Sequence, residues 1–241
     1  IETIGQKVAQ LIHDGDCIQI GIGKAPAAIL TCLKDRKNLG LHGGMVTDEV
    51  AELVDVGALD CSLKSIDKDI LICGAAMGPQ RVFDWAAGRE DVIFRGADYT
   101  HNVPVVAQID NFVSINSTLE VDLTGQANSE TINARQISGT GGLVDFVRGA
   151  RMANNGRSVL ALSATAAAGK ISRIVPTLQA GAAVSCPRAD TDYVVTEFGA
   201  ARMKDKSVDE RAEALIAIAD PKFHGELSEA WKEQRQRMGG R

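Results

Sequence analysis

The sequence of 241 residues lacks any run of about 20 uninterrupted apolar residues, the length that a membrane-spanning helix needs. Its N-terminus also lacks the basic segment followed by an apolar one that marks a secretory signal. We therefore expect a cytoplasmic protein without a membrane partner. The chain opens at Ile1 and not at Met, which fits a processed, truncated or fragmented product.

Clustered basic residues are missing as well. The 26 Lys and Arg residues are outnumbered by 31 Asp and Glu, and we expect no nucleic-acid partner because phosphates are bound by clustered Lys and Arg. The five cysteines are scattered without C-x-x-C spacing, so neither a disulfide framework nor a zinc site is predicted. The four histidines do not pair at metal-ligand spacing, and we expect no metal.

The sequence does contain short apolar segments that alternate with helical patterns. They predict strands at 17–20, 39–42, 69–73, 91–94, 112–116, 119–123, 159–162, 171–175 and 193–196. Helices are predicted at 4–12, 27–33, 48–54 and 143–153, then after a capping box at Ser207 and from Pro221 to about 237. Gly43 and Gly44 are predicted to form a turn. The alternation is typical of an α/β fold with a mostly parallel sheet flanked by helices, and without a linker we expect one domain over 1–241.

Two glycine-rich segments precede helical patterns and are candidates for ligand binding. Residues 21–27 read Gly-Ile-Gly-Lys-Ala-Pro-Ala, and residues 138–146 hold three glycines within four positions. Glycine lets a ligand approach the main chain, and a helix start presents N–H groups and a positive dipole end to an anion. A plain strand-to-helix turn explains residues 21–27 at least as well, and a structural bend explains residues 138–146 equally well.

Several longer motifs occur in a fixed order along the chain. They read Gly21-Ile-Gly-x-x-Pro-x-Ala, Val113-Ser-Ile-Asn-Ser-x-Leu-Glu-Val-Asp-Leu-Thr-Gly-Gln, Arg135-Gln-Ile-Ser-Gly-x-Gly-Gly-x-Val-Asp-Phe-Val-Arg-Gly-Ala, Gly169-Lys-Ile-Ser-Arg-Ile-Val-Pro-Thr-Leu and Tyr193-Val-Val-Thr-Glu-Phe-Gly. From about Gly5 to Leu227 the chain resembles the C-terminal domain of the acetyl-CoA hydrolase/4-hydroxybutyrate CoA-transferase family. The resemblance implies the CoA-transferase α/β fold, which is related to ribose-phosphate isomerase and glucosamine-phosphate deaminase.

The same resemblance implies an activity and partners. Family members exchange coenzyme A between a small acyl-CoA and a free carboxylic acid, using a glutamate of the enzyme as covalent carrier. They carry a similarly folded N-terminal domain ahead of this one, and the active site lies between the two domains. We therefore expect an N-terminal domain or a second subunit as partner, and an oligomeric assembly.

Individual positions carry over from the family motifs. The loop that lines the thioester and pantetheine corresponds to Gly23, Lys24, Ala25, Pro26 and Ala27. Asn102 resembles an asparagine that contacts CoA, and Gly141 and Gly142 resemble glycines against which the pantetheine and the adenine nucleotide lie. Lys170 resembles a lysine that meets the CoA phosphates, a contact that an ammonium group makes readily.

One position departs from the family pattern. The family glutamate falls in His-x-Glu-Met-x-Ser/Thr-Asp, and this chain reads His42-Gly-Gly-Met-Val-Thr-Asp, which places Gly44 at the carrier position. Glycine has no group that attacks a thioester. Glu49, where the family usually has glycine, is the candidate substitute. Two other hypotheses remain: hydrolysis by a water that Asp48 or Glu49 holds, and a CoA-binding domain without catalysis. An incomplete glycine fingerprint gives little support to a nucleotide-dependent dehydrogenase.

Overall fold

The computed structural model describes residues 1–239, so the last two residues of the predicted domain 1–241 lie outside the described residues. Contacts along the chain define two compact units. The first unit is Ile1–Asn116 with Gly142–Val159, and the second is Ser117–Gly141 with Leu160–Arg241. Because the chain passes between them three times, no single linker separates them. The expectation of one domain over 1–241 stays a prediction.

The α-helices of the described residues are α1 (Glu2–Ala9), α2 (Lys24–Thr31), α3 (Asp48–Asp55), α4 (Gln80–Ala86), α5 (Ala97–Thr100), α6 (Val103–Val106), α7 (Leu143–Met152), α8 (Val208–Ala217) and α9 (His224–Arg237). The strands are β1 (Cys17–Ile20), β2 (Gly40–Val46), β3 (Leu71–Ala76), β4 (Val92–Phe94), β5 (Phe112–Ser117), β6 (Glu120–Asp122), β7 (Ala127–Asn128), β8 (Thr131–Ile132), β9 (Arg135–Gln136), β10 (Arg157–Ala161), β11 (Thr165–Ala166), β12 (Ile171–Ser172), β13 (Ile174–Val175), β14 (Tyr193–Val195) and β15 (Ala200–Arg202). No described helix is long and apolar enough to cross a bilayer.

The first unit is built on a parallel sheet. Strands β5, β1, β2, β3 and β4 lie side by side in that order and pair in parallel, and the start of β10 lies next to β5. All four residues of β1 are buried, as in parallel sheets whose two faces are covered. This sheet confirms the predicted α/β architecture.

Helices pack on this sheet through an apolar cluster of the first unit. Phe112 on β5 is fully buried and belongs to one cluster with Val106 on α6, Phe146 and Ala150 on α7, and Cys17 on β1. Burying a side chain of this size contributes about 2–3 kcal/mol relative to leaving it exposed. The cluster therefore holds α6 and α7 against β1 and β5.

The predicted turn at Gly43 and Gly44 is wrong, because β2 continues through both glycines to Val46. The two strands approach closely here because of a glycine on β3: a Cβ on Gly74 would stand 2.9 Å from the Gly44 carbonyl oxygen. The predicted strand at 171–175 is likewise two short strands, because Ile171 and Ser172 pair with β11 while Ile174 and Val175 pair with β6.

The second unit consists of short strands and the C-terminal helices. Strand β6 pairs with β13 in parallel and with β7 antiparallel, while β8 and β9, β11 and β12, and β14 and β15 form antiparallel pairs. The capping box predicted at Ser207 is confirmed, because its hydroxyl accepts from the Glu210 N–H while the Glu210 carboxylate accepts from the Ser207 N–H. Pro221 opens a 3-10 turn, from which α9 continues to Arg237.

Candidate functional site

A cavity of about 140 Å³ in the first unit contains the position where the family glutamate was expected. We name it the Gly44 cavity; it is lined by Gln19, Ile20, Gly21, Ile22, Gly44, His101, Asn116, Gly142, Leu143 and Phe146. The lining comes from the ends of β1 and β5, from β2, from the α5–α6 junction and from the start of α7. Open α/β sheets bind ligands at such carboxyl ends of parallel strands.

Glycine is required at one wall of the Gly44 cavity and leaves space at another. A Cβ on Gly142 would stand 2.6 Å from His101 Nε2 and 2.8 Å from Phe146 Cε2, closer than real Cβ atoms come. A Cβ on Gly44 would lie 3.3 Å from Nε2 and Cε1 of the same imidazole. Residue 44 therefore faces the His101 ring, and its missing side chain leaves the space beside that ring open.

His101 is the titratable group of this cavity. Its ring lies against Phe146, with the ring centroids 4.6 Å apart, and its Nδ1 is 2.8 Å from the Thr100 hydroxyl. Burial lowers the pKa of His101, and the nearby Asp145 carboxylate partly opposes that shift. The imidazole is therefore held neutral near physiological pH.

Amide and hydroxyl groups form a buried network at the opposite wall. The Gln19 Oε1 atom accepts from Ser114 Oγ at 2.9 Å and from Asn116 Nδ2 at 3.1 Å. Asn116 Nδ2 also donates to Ser114 Oγ at 3.0 Å. Sequence reasoning missed Gln19 and Asn116 as site residues. The available signal was polar residues alternating with apolar ones at the ends of two predicted strands, where a core strand would place apolar side chains.

His42 lies deeper and has a structural environment. It is fully buried, its Nε2 is 3.1 Å from the Thr100 carbonyl oxygen, and burial lowers its pKa to about 4. The ring links β2 to the end of α5. This contact fixes the residue that precedes His101, so His42 supports the cavity without lining it.

A second cavity of the first unit, of about 220 Å³, contains Glu49. This Glu49 cavity is lined by Gly21, Ile22, Gly23, Pro26, Ala27, Leu30, Thr47, Asp48, Glu49, Met77, Gly78 and Pro79. Glu49 accepts a 2.7 Å hydrogen bond from the Thr47 hydroxyl, and Asp48 is ion-paired with Arg81, whose Nε donates at 2.8 Å. Both carboxylates therefore have local partners.

The predicted loop residues fall partly into the Glu49 cavity. Gly23, Pro26 and Ala27 line it with Glu49, while Lys24 and Ala25 begin α2 outside its lining. Gly23 adopts a φ of 121°, a conformation that other residues rarely reach, and precedes the first turn of α2. The structure thus brings the first glycine-rich segment and Glu49 together, and places Gly44 and Gly142 together in the other cavity.

The remaining predicted residues lie elsewhere. Asn102 caps α6, accepting from the Val105 N–H and donating to the Asp98 carbonyl oxygen, and it lines neither cavity. Gly141, with a φ of 52°, and Lys170, in the turn between β11 and β12, are exposed residues of the second unit. Their CoA contacts stay predictions. Within residues 1–239, no group of three or more His, Cys, Asp or Glu residues is placed to hold a metal ion.

A parallel α/β unit with a glycine-walled cavity at the carboxyl ends of its strands defines the class, and comparison with known proteins defines the family. The model of the acetyl-CoA hydrolase/transferase C-terminal domain matches residues 78–231. The 4-hydroxybutyrate coenzyme A transferase of Clostridium kluyveri is 44% identical over 97% of this chain and 54% of its own length. The chain belongs to this acetyl-CoA hydrolase/transferase family, with the sequence of its C-terminal domain.

Solved structures agree with the fold. RipA from Yersinia pestis superimposes with a TM-score of 0.92 at 39% identity, covering 97% of this chain and 52% of that one. The 4-hydroxybutyrate CoA-transferase from Porphyromonas gingivalis gives a TM-score of 0.86 at 37% identity, covering 97% of this chain and 55% of that one. The predicted CoA-transferase fold is confirmed. The chain spans about half the length of the relatives that it matches.

Proposed function

We propose that the protein containing this chain acts on small acyl-CoA thioesters and exchanges CoA between an acyl-CoA and a carboxylic acid. The observation that carries the proposal is the Gly44 cavity, which the family's fold builds at the ends of its parallel strands from glycine, amide and imidazole groups. In this proposal the chain supplies the CoA-binding half. The other half comes from a further domain or a second subunit, which completes the site in an oligomer.

The route of exchange must differ from the family's glutamyl carrier, because Gly44 has no carboxylate. We propose that the acceptor carboxylate itself attacks the thioester carbonyl, which forms a mixed anhydride and releases CoA as the thiolate. The thiolate then attacks the acceptor's carbonyl carbon in the anhydride, giving the new acyl-CoA and the donor carboxylate. Atoms and charge balance without a covalent enzyme intermediate.

In this proposal the start of α7 stabilises the oxyanions of both steps. Gly142 and Leu143 line the cavity, and the first N–H groups of a helix have no acceptor within the helix. They carry the positive end of the helix dipole, which favours an anion at this position. Asn116 lines the opposite wall, where the two N–H groups of its Nδ2 donate to Gln19 Oε1 and Ser114 Oγ.

Glu49 is the carboxylate that would serve if the protein kept a covalent carrier. Its hydrogen bond to Thr47 and its place in the Glu49 cavity set it apart from Gly44. A carrier role for Glu49 therefore requires the thioester to lie in the Glu49 cavity. The two routes differ in kinetics, since direct attack needs both substrates bound at once and a carrier does not.

The test is an initial-rate study of the complete natural protein with butyryl-CoA and acetate, which follows acetyl-CoA formation. The proposal predicts exchange with intersecting double-reciprocal lines, as for simultaneous binding. Parallel lines would show a carrier and contradict the direct route. Absence of acetyl-CoA, together with absence of butyryl-CoA binding by calorimetry, would contradict the proposed function itself.

A second candidate function is hydrolysis of the same thioesters. It is favoured by one observation, the imidazole that faces the open space at Gly44. The hypothesis that Asp48 holds the hydrolytic water has less support, since Asp48 is paired with Arg81 and does not line the Gly44 cavity. Release of free CoA from butyryl-CoA without any acceptor acid, at a rate that acetate does not raise, identifies hydrolysis.

A further inference from the structure

We propose that His101 is the general base that activates water for thioester hydrolysis in the Gly44 cavity. The proposal rests on the proposed function, because it needs an acyl-CoA bound there, and it deepens the hydrolytic candidate by assigning its base. Three features support the proposal: the space beside the His101 ring, the orientation of the ring and the tautomer of the imidazole.

The space beside His101 is created by Gly44. Gly44 and His101 line the same cavity of about 140 Å³, which has room for a water, and a Cβ on residue 44 would lie only 3.3 Å from Nε2. A glutamate at this position would fill that space with its own side chain. Gly44 therefore lacks the nucleophilic carboxylate of a glutamate and leaves room for a water, the alternative nucleophile, beside the His101 imidazole.

The orientation of the ring is fixed by Phe146, by the backbone of Gly142 and by a hydrogen bond at one nitrogen. Phe146 packs on the ring, and Gly142 comes so close that no side chain fits between its backbone and the imidazole. Thr100 holds Nδ1 through its hydroxyl at 2.8 Å. Nε2 has no hydrogen-bond partner among the described residues and lies in the lining of the cavity.

One assignment of protons satisfies this chain of contacts. Nδ1–H donates to the Thr100 oxygen, and the Thr100 hydroxyl donates to the Gly96 carbonyl oxygen at 3.3 Å. This tautomer leaves a lone pair on Nε2, the ring nitrogen that lies close to residue 44. Because burial lowers the pKa of His101, the ring is neutral and able to accept a proton at neutral pH.

The reaction step then balances. Nε2 takes one proton from water while the water oxygen forms a bond to the thioester carbonyl carbon, giving a tetrahedral oxyanion. Collapse of this intermediate breaks the carbon–sulfur bond, and the CoA thiolate receives the proton from the imidazolium. The products are the carboxylic acid and CoA thiol. An acceptor carboxylate is already an anion and needs no base, so replacing His101 should lower hydrolysis far more than exchange.

The experiment compares His101→Gln with wild type in the complete protein. Butyryl-CoA is supplied with and without acetate, and free CoA and acetyl-CoA are measured separately. General bases contribute about 10²–10⁴-fold, so we expect hydrolysis to fall by at least about 100-fold and the ratio of hydrolysis to exchange to fall by at least about tenfold. His13→Gln is the matched control, because that histidine side chain is 71% exposed.

The outcomes separate the two proposals. Unchanged hydrolysis in His101→Gln, or an equal fall of hydrolysis and exchange, would overturn the assignment of the base. Exchange without hydrolysis in wild type would also overturn it, while leaving the proposed function intact. Loss of both activities and of butyryl-CoA binding in wild type would remove the proposed function as well.

A second variant guards against a general packing defect. His101→Ala removes the ring, and added imidazole should restore at least a tenth of the wild-type hydrolysis rate if a free base can occupy the vacated space. No restoration, with butyryl-CoA binding retained, would count against the proposal.

The wild-type hydrolysis rate should fall as pH drops through the pKa of His101. The titratable groups that face His101 are Asp145 on α7 and His42 on β2.

Discussion

The two cavities of the first unit share Gly21 and Ile22 in their linings but hold opposite chemical groups. The Glu49 cavity contains two carboxylates, and each is already engaged, by Thr47 or by Arg81. The described lining of the Gly44 cavity contains amides and an imidazole and no carboxylate. Asp48 and Glu49, the carboxylates nearest in sequence to Gly44, therefore do not line the Gly44 cavity.

This difference shows what the loss of one side chain changes. A glutamate at residue 44 would make the protein the nucleophile, and a glycine leaves that role to a bound carboxylate or to water. The remaining groups of the Gly44 cavity then position the substrates, polarise the thioester carbonyl and accept protons. The variants below test whether the chemistry belongs to this cavity.

The largest expected effect is on stability and concerns His42, whose contact with Thr100 supports the Gly44 cavity. A base whose pKa falls on folding binds its proton more tightly in the unfolded state, so stability is complete above pH 6.5 and is lost as pH falls toward 4. A shift from 6.5 to about 4 corresponds to about 3 kcal/mol. Urea unfolding at pH 7.5 and at pH 4 gives the free energy of unfolding that each protein loses on acidification. This loss should be about 3 kcal/mol smaller in His42→Gln than in wild type. An equal loss in both proteins would contradict this.

The next largest effect is on catalysis and comes from a substitution in the wall of the Gly44 cavity. In Gly142→Ala the new Cβ would meet His101 and Phe146, and the imidazole must move by about 1 Å. Misplacement of this size costs about 100-fold, so hydrolysis should fall by about that factor. Gly225→Ala in α9 is the control, because a Cβ there meets nothing within 4 Å. Full activity of Gly142→Ala would place the chemistry outside this cavity.

A smaller effect is expected from the group that orients His101. Thr100→Val keeps the shape of the buried side chain but removes the hydroxyl that holds Nδ1. Loss of one such hydrogen bond, of about 1 kcal/mol, should lower hydrolysis about fivefold and leave exchange unchanged. Thr100→Ser, which keeps the hydroxyl, should restore the rate. If exchange fell with hydrolysis, Thr100 would have only a packing role.

Much of the fold was predictable because it depends on local patterns. The apolar run 17–20, the capping box at Ser207 and the helix at 48–54 each form from neighbouring residues, and all three occur as expected. The pair Gly43-Gly44 was misread as a turn, since β2 continues through it by pairing with β3, which is distant in sequence. Short helices such as α5 and α6 have too few residues to show a period.

The candidate site was predictable only where a motif carried it. Gly44, Gly142 and the segment 21–27 follow from the resemblance, and all of them except Lys24 and Ala25 line the two cavities. His101 and Asn116 were not selected, because their roles depend on contacts with residues about 40 to 100 positions away, such as Gly142 and Gln19. A lone histidine in sequence does not indicate which glycine it faces.

The most direct test of the central claim is the intact mass of this chain after the complete protein has been incubated with butyryl-CoA. Gly44→Glu, whose Cβ lies within 3.3 Å of the His101 ring, and Gly44→Gln, which has no carboxylate, are measured beside wild type. We predict no covalent CoA adduct on wild type or Gly44→Gln, and an adduct on Gly44→Glu. A CoA adduct on the wild-type chain, mapped to Glu49, would contradict the account, because the protein would then have kept a carrier in the other cavity.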